Sequence, residues 1–318
     1  MRIYFCGMPA MMLYNFAAAV LRSRGDSKRP VIALTIAGVT NVLLNLLFVI
    51  VFKLHVIGVA AATVLSNGVS GGLTLYFLMT EEDEFCFRFR DLFRLCRREF
   101  LLSTARIGIP AGLQGMVFSV SNVIIQSAVN SFGSACMAGN GAALTFDSLS
   151  WCVMSGFSQA AVSFVSQNYG ARDKDRCKRS LQLCMLIGVG INIALDLLIL
   201  LVRYPLIGLF TTDEEVIRYA MLRIVLTVSV HFLCATYEIP AGAMRGMNRS
   251  FAPSLICVFG TCVVRLIYVW TVFAAHRTPE TLFLVYPISW IITSVIMNTA
   301  CLRLFGMAFA DGKGKTAA

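Results

Sequence analysis

The sequence predicts an all-α membrane protein with nine transmembrane helices, forming part of a duplicated bundle. Three observations carry that expectation. Of 318 residues, 58% are hydrophobic and 14% charged, and the mean hydropathy is +0.75. A soluble domain carries roughly 25% charged residues, so polar surface would run out before this apolar content was covered. Secondly, nearly uncharged stretches of about 20 residues recur, the length a helix needs to cross a hydrocarbon core of ~30 Å. These stretches are continuously apolar rather than alternating, a helical signature and not that of a membrane barrel. Thirdly, the segment from Ala19 to Pro30 reads like that from Gly242 to Pro253. In each, an apolar helix ends in a bulky residue plus Arg, passes a polar turn and restarts at Pro. Arg22 lies 223 positions before Arg245, and Pro30 lies 223 before Pro253. A repeat of this kind between long apolar stretches marks a duplicated membrane bundle.

Taken in order, the spans fall at 1–21, 31–52, 57–79, 107–131, 135–167, 181–202, 216–243, 253–274 and 281–302. Pro30 and Pro253 open their helices, where a missing N–H costs little. Gly25, Gly58, Gly133 and Gly170 mark turns. The long connection 80–106 starts with Glu81, Glu82, Asp83 and Glu84, then mixes Phe85, Phe87, Phe89, Phe93 and Phe100 with arginines. It reads as an acidic turn followed by a basic amphipathic helix lying on the membrane surface. Residues 1–79 are then the three-helix remainder of an N-terminal lobe, 80–106 a cytoplasmic linker, 107–302 a six-helix lobe and 303–318 a cytoplasmic tail.

Charge placement sets the orientation. Alternate connections hold twenty Lys and Arg residues, whereas the others hold only Lys53, Arg203 and Arg277. Under the positive-inside rule the basic loops and the C-terminus face the cytoplasm, across a plasma (inner) membrane. The lipid bilayer therefore accounts for the net charge of +10, and no nucleic-acid partner is called for. The eleven cysteines include no CxxC pair and most sit in apolar runs, so they read as small buried hydrophobes. There is no GxxxxGK[ST] loop, hence no nucleotide partner, and no HExxH or GxSxG motif, hence no enzyme.

The 223-residue offset also indicates what precedes. The partner of span 216–243 would begin before Met1, and the partners of the three spans before that would lie wholly upstream. The expectation is a twelve-span protein made of two sixes, of which this chain is the last nine.

Several motifs together resemble the multidrug and toxic compound extrusion (MATE) family, prokaryotic type. They are Leu21-Arg22 with Gly25-Asp26 and Pro30; Asn41 and Asn45, then Gly58-Val59-Ala60-Ala61-Ala62-Thr63; and Ile107-Gly108-Ile109-Pro110-Ala111-Gly112-Leu113-Gln114. Gln167-Asn168-Tyr169-Gly170-Ala171 with Arg176, then Met244-Arg245-Gly246, and Tyr286-Pro287-Ile288-Ser289-Trp290 complete the set. The resemblance implies two six-helix lobes flanking a cavity that opens alternately to each side. It also implies export of cationic amphipathic small molecules in exchange for H⁺ or Na⁺, with no other cofactor.

Ionisable groups inside spans are costly, so each is a functional candidate. Asp147 lies near the middle of the fifth span, where a carboxylate can take up H⁺, join Na⁺ with Asn and Gln oxygens, or simply pair with a neighbouring helix. Glu238 precedes Pro240, whose missing N–H frees a backbone carbonyl; an acid beside that carbonyl could form a cation site, or simply pair with Arg245 on the same face. Arg265 interrupts an apolar run and is expected to meet Asp147 or Glu238. Asp196, one turn after Asn192, reads as snorkelling or helix pairing rather than coupling. Gln114, Asn122 and Gln126 share a face of the fourth span, while Asn140 and Gln159 lie in the fifth; such groups can contact substrate or hold helices together. Met137, Met154, Phe118, Phe157 and Tyr237 are candidates for an adaptable pocket wall. A lipid-linked sugar flippase of the same superfamily is the alternative transport reading. It would need basic residues in its cavity, and Arg265 is the one intramembrane basic residue this reading identifies. A non-transporting relict is the other alternative.

Overall fold

The computed structural model describes residues 2–80 and 98–310. The acidic turn and most of the expected surface helix fall outside these residues, as does the end of the tail. The chain forms two compact units, Met1–Leu101 and Leu102–Ala318. The second unit thus begins inside the segment expected to be a linker.

In the first unit, α1 (Arg2–Cys6) and α2 (Met8–Ser23) form one interrupted span. α3 (Lys28–Leu46) continues through a π-helical turn, Leu47–Val51, and α4 (His55–Met79) follows. Both α2 and α3 pack on α4. The contact face of α4 repeats every four residues through Gly58, Ala62, Ser66, Ser70, Thr74 and Leu78, all buried. Small side chains let helix backbones approach where lipid supplies no hydrophobic drive. Gly71 shows how closely: a Cβ there would stand 2.8 Å from the carbonyl oxygen of Ala10. Asn45 Nδ2 donates to Asn41 Oδ1 at 3.0 Å, and Asn41 Nδ2 donates to Ser66 Oγ at 3.0 Å, tying α3 to α4.

The second unit holds all but the first turn of α5 (Arg98–Asn130), with α6 (Ser134–Gly170) and α7 (Lys174–Leu201), and all three helices are long. A short α8 (Arg203–Gly208) leads to α9 (Glu214–Val228) and α10 (Phe232–Gly246). α11 (Phe251–Cys257) and α12 (Val264–Tyr268) alternate with π turns at Val258–Val263 and Val269–Phe273 to make one span. α13 (Pro279–Phe283) and α14 (Val285–Ala310) close the described chain. Helix α6 is the hub, packed against α7, α9 and α10. The largest core cluster combines Met154, Ala161 and Val165 of α6 with Tyr237, Ile239 and Met244 of α10 and Trp290 and Met297 of α14.

Three features differ from expectation. Among the described residues seven helices are long and apolar enough to cross a membrane, or eight if a bent pair counts as one span, against the nine expected. The remaining one is α6, whose 37 residues include Asn140, Asp147 and Gln159; at 1.5 Å per residue it is about 55 Å long, but its apolar content is diluted by such polar groups, Asn140 among them buried against its neighbours. Span 216–243 is α9 and α10 bent by 47° at their junction. Finally, residues 98–106 continue α5 and 303–310 continue α14, so neither stretch is separate from its span.

The repeat read from the sequence reappears in backbone detail. After α2, the N–H groups of Arg24 and Asp26 donate to the Leu21 carbonyl and that of Gly25 to the Arg22 carbonyl, at 3.1, 3.1 and 2.9 Å. After α10, Met247 and Arg249 donate to the Met244 carbonyl and Asn248 to that of Arg245, at 3.2, 3.0 and 3.0 Å. Gly25 has φ +86° and Asn248 φ +61°, the left-handed residue that ends many helices. Each bond and each left-handed residue recurs at the same 223-residue offset.

Candidate functional site

Among the cavities of the second unit, two lie beside the middle of α5 and hold the candidate residues. The first, about 430 Å³, is lined by Asn122, Gln126, Asn140, Asp147, Arg223 and Arg265, with His231, Tyr286 and Trp290 closing it. The second, about 410 Å³, is lined by Gln114, Gln159, Glu238, Arg245 and Thr261. Phe118, Trp151 and Tyr237 belong to both walls. Each of the seven residues singled out as site candidates therefore lines one cavity or the other.

Asp147 does not meet Arg265. Its carboxylate Oδ2 accepts from Arg223 Nη2 at 2.7 Å, and Oδ1 accepts from Thr227 Oγ1 at 3.5 Å. Arg223 Nη1 donates to Asn140 Oδ1, whose amide donates to Gln126 Oε1 at 3.0 Å, and Gln126 donates on to Asn130 Oδ1 at 2.9 Å. A chain of polar groups thus joins α9, α6 and α5. Arg223 is the residue the sequence reading missed. Its signal was available, a basic residue inside the expected span 216–243, as was that of Arg218. Arg218 is exposed, whereas the Arg223 side chain is 2% exposed.

Glu238 takes the local alternative. Its Oε1 accepts from Arg245 Nη1 at 2.9 Å, two turns along α10. Arg245 Nη2 also donates to Gln114 Oε1 at 3.4 Å. The carbonyl freed by Pro240 is not available for a cation, because Thr236 O accepts from Asn298 Nδ2 at 2.9 Å. The hydroxyls of Thr236 and Ser294 meet at 2.8 Å beside it. α14 therefore satisfies the defect in α10.

Arg265 is buried and has neutral partners: Nε donates to Ser289 Oγ at 3.0 Å and Nη1 to Asn122 Oδ1 at 3.4 Å. Its guanidinium lies 4.8 Å from the Tyr286 ring centre and 5.7 Å from that of Phe118. The expected carboxylate partner is replaced by aromatic faces, a hydroxyl and an amide oxygen, because Arg223 and Arg245 hold the two acids. Asp196 pairs with a neighbouring helix as expected, accepting from Ser150 Oγ at 2.6 Å, while Asn192 donates to the Ser150 carbonyl at 3.3 Å. Of the expected pocket wall, Phe118 and Tyr237 line both cavities. Met154 is instead fully buried in the core, and Phe157 packs against Gly188, where a Cβ would come within 2.9 Å of its ring. Met137 is exposed.

Among the described residues no cluster of His, Cys, Asp and Glu has the makings of a metal site. Among the described residues nine cysteines are free thiols, seven of them buried.

This geometry can be set beside known proteins. The MatE family model matches residues 110–271, over half of the chain. The chain belongs to the MATE family. A second model, lipid II flippase MurJ, matches residues 1–138. The chain is 28% identical over 264 residues to the probable multidrug resistance protein YoeA of Bacillus subtilis, covering 81% of this chain and 57% of that protein. It is 23% identical over 272 residues to the probable multidrug resistance protein NorM of Thermotoga maritima, covering 84% and 58%. A FAD transporter of Shewanella oneidensis is 25% identical over 312 residues, covering 96% and 67%. The chain thus spans little more than half the length of the first two relatives. Among solved structures, a MATE protein in complex with MaL6 superposes with a TM-score of 0.88 at 19% identity, covering 96% of this chain and 69% of that one. An outward-facing MATE family transporter gives 0.84 at 19% identity, covering 93% and 66%. These likenesses establish the fold: an all-α, multi-pass membrane protein of MATE architecture.

Proposed function

We propose that this chain acts in a secondary active multidrug exporter, antiporting cationic amphipathic compounds against H⁺ or Na⁺ by alternating access. Nine transmembrane helices, with α6 as the polar central one, and a cytoplasmic C-terminus in the plasma membrane are part of this reading; the asymmetry of basic loops supports the orientation. The observation that carries the proposal is the larger cavity, where Asp147 and its arginine sit among Phe118, Trp151, Tyr237 and Trp290. Aromatic walls tolerate varied organic cations, and a carboxylate in a low dielectric discriminates strongly by charge. A coupling H⁺ or Na⁺ and a substrate cation would compete for Asp147, and likewise for Glu238 in the second cavity. Occupancy by one then favours release of the other, which is exchange. The names borne by YoeA and NorM support the same activity.

Efflux of a cationic dye from proteoliposomes, driven in turn by a proton and a sodium gradient, tests it. Asp147→Asn and Glu238→Gln should each slow gradient-driven efflux, and unchanged efflux in both removes the coupling assignment. A flippase for a lipid-linked sugar is the second reading. The MurJ match supports it, as does Arg223, which joins Arg265 as a second basic residue in the larger cavity. It predicts lipid scrambling in the same vesicles and no dye movement.

A further inference from the structure

The larger cavity carries more positive than negative charge on its walls. Its charged lining is Asp147, Arg223 and Arg265. Asp147 and Arg223 neutralise each other at 2.7 Å. Arg265 has no ion pair among the described residues, although it is 2% exposed. A buried charge without a counter-charge is costly unless something supplies one. Tyr286 offsets this only in part and is shared, because its ring lies 5.1 Å from the Arg223 guanidinium and 4.8 Å from that of Arg265 and carries no net charge. Two cations thus share one aromatic face while a single carboxylate serves one of them.

We infer that Arg265, with Asn122 and Ser289 orienting it, forms an anion subsite in this cavity, which takes an oxyanion group (carboxylate, sulfonate or phosphate) borne on an aromatic or acyl body. The inference rests on the cavity being a substrate site, as proposed above, and adds that a substrate need not be a simple cation. Ser289 accepts from Nε and Asn122 Oδ1 accepts from Nη1, which fixes the plane of the guanidinium. A planar guanidinium held in this way offers its remaining N–H groups to an oxyanion with fixed geometry. Phe118, Tyr286 and Trp290 supply flat surfaces for the body of the ligand. A cavity of about 430 Å³ lies in the usual range for drug-sized ligands.

The test uses two dyes with the same tricyclic xanthene body and opposite charge, fluorescein and rhodamine 123. Binding to the purified full chain in detergent is followed by fluorescence anisotropy, so the result does not depend on whether the protein transports. Fluorescein should bind, and Arg265→Gln should weaken it roughly tenfold or more while leaving rhodamine 123 unchanged or tighter. Arg265→Lys, which keeps the charge, should retain most of the affinity; it guards against a variant that merely misfolds. Phosphatidylglycerol displacing the dye where phosphatidylcholine does not would assign the subsite to a lipid headgroup, and no displacement by either would assign it to soluble organic anions. Fluorescein affinity unchanged in Arg265→Gln, equal loss of both dyes in Arg265→Gln and Arg265→Lys, or no fluorescein binding at all would overturn the inference. Failure of dye efflux with fluorescein binding intact would instead count against the transport reading alone.

Discussion

The two acid–arginine pairs of the second unit solve the same problem in different ways. Asp147 and Arg223 stand 76 positions apart on α6 and α9, with side chains 16% and 2% exposed. Glu238 and Arg245 stand seven apart on one helix, with side chains 13% and 23% exposed. The first pair exists only when two helices are packed, and the polar chain through Asn140 and Gln126 depends on it. The second is set by helical spacing alone and has Gln114 as a further partner. A long-range pair of this kind carries fold specificity, whereas a local pair serves mainly to neutralise an acid. Their consequences when broken should differ accordingly.

The largest expected effect is on the long-range pair. Arg223→Met leaves Asp147 without its counter-charge and should destabilise the protein by about 3–5 kcal/mol. Unfolding by SDS titration in mixed micelles would measure this, and adding Asp147→Asn to the variant should recover part of the loss. A smaller effect comes from the packing that brings α6 to α10. A Cβ at Gly242 would stand 2.6 Å from the Ser158 carbonyl oxygen, a backbone atom that cannot rotate away. Gly242→Ala should therefore cost about 1–3 kcal/mol in the same titration. Next is the seam that repairs the proline. Asn298→Ala leaves the Thr236 carbonyl without its donor and should cost about 1–2 kcal/mol, visible as a lowered thermal midpoint. The smallest effect is on the local pair: Glu238→Gln keeps a hydrogen bond to Arg245 and should change stability by no more than about 1 kcal/mol. Reversal of the order between Arg223→Met and Glu238→Gln would break the comparison.

The same contrast explains what could be read from the amino-acid order. Features of short range were legible. The turns after α2 and α10 follow from Gly25 and Asn248, and both carry the same hydrogen bonds at the offset that the arginines and prolines mark. The pairing of Glu238 with Arg245 was one of two stated options because seven residues make two helical turns. All nine spans were read from hydropathy, but α6 does not meet the apolar content of a membrane crossing, because groups such as Asn140 and Asp147 dilute it. Features needing a partner helix were hidden. Nothing local to Arg223 says that Asp147 lies across from it, and once that pair forms, Arg265 must find neutral company. Nor does the sequence near Pro240 reveal that Asn298 fills the gap.

One measurement bears most directly on the account, which holds that the cross-helix pair organises the second unit. Double-mutant cycles on unfolding would give a coupling energy for Asp147 with Arg223 and another for Glu238 with Arg245. The account predicts a coupling of about 2 kcal/mol or more for the first and below about 1 kcal/mol for the second. Equal couplings, or a larger value for Glu238 with Arg245, would contradict it.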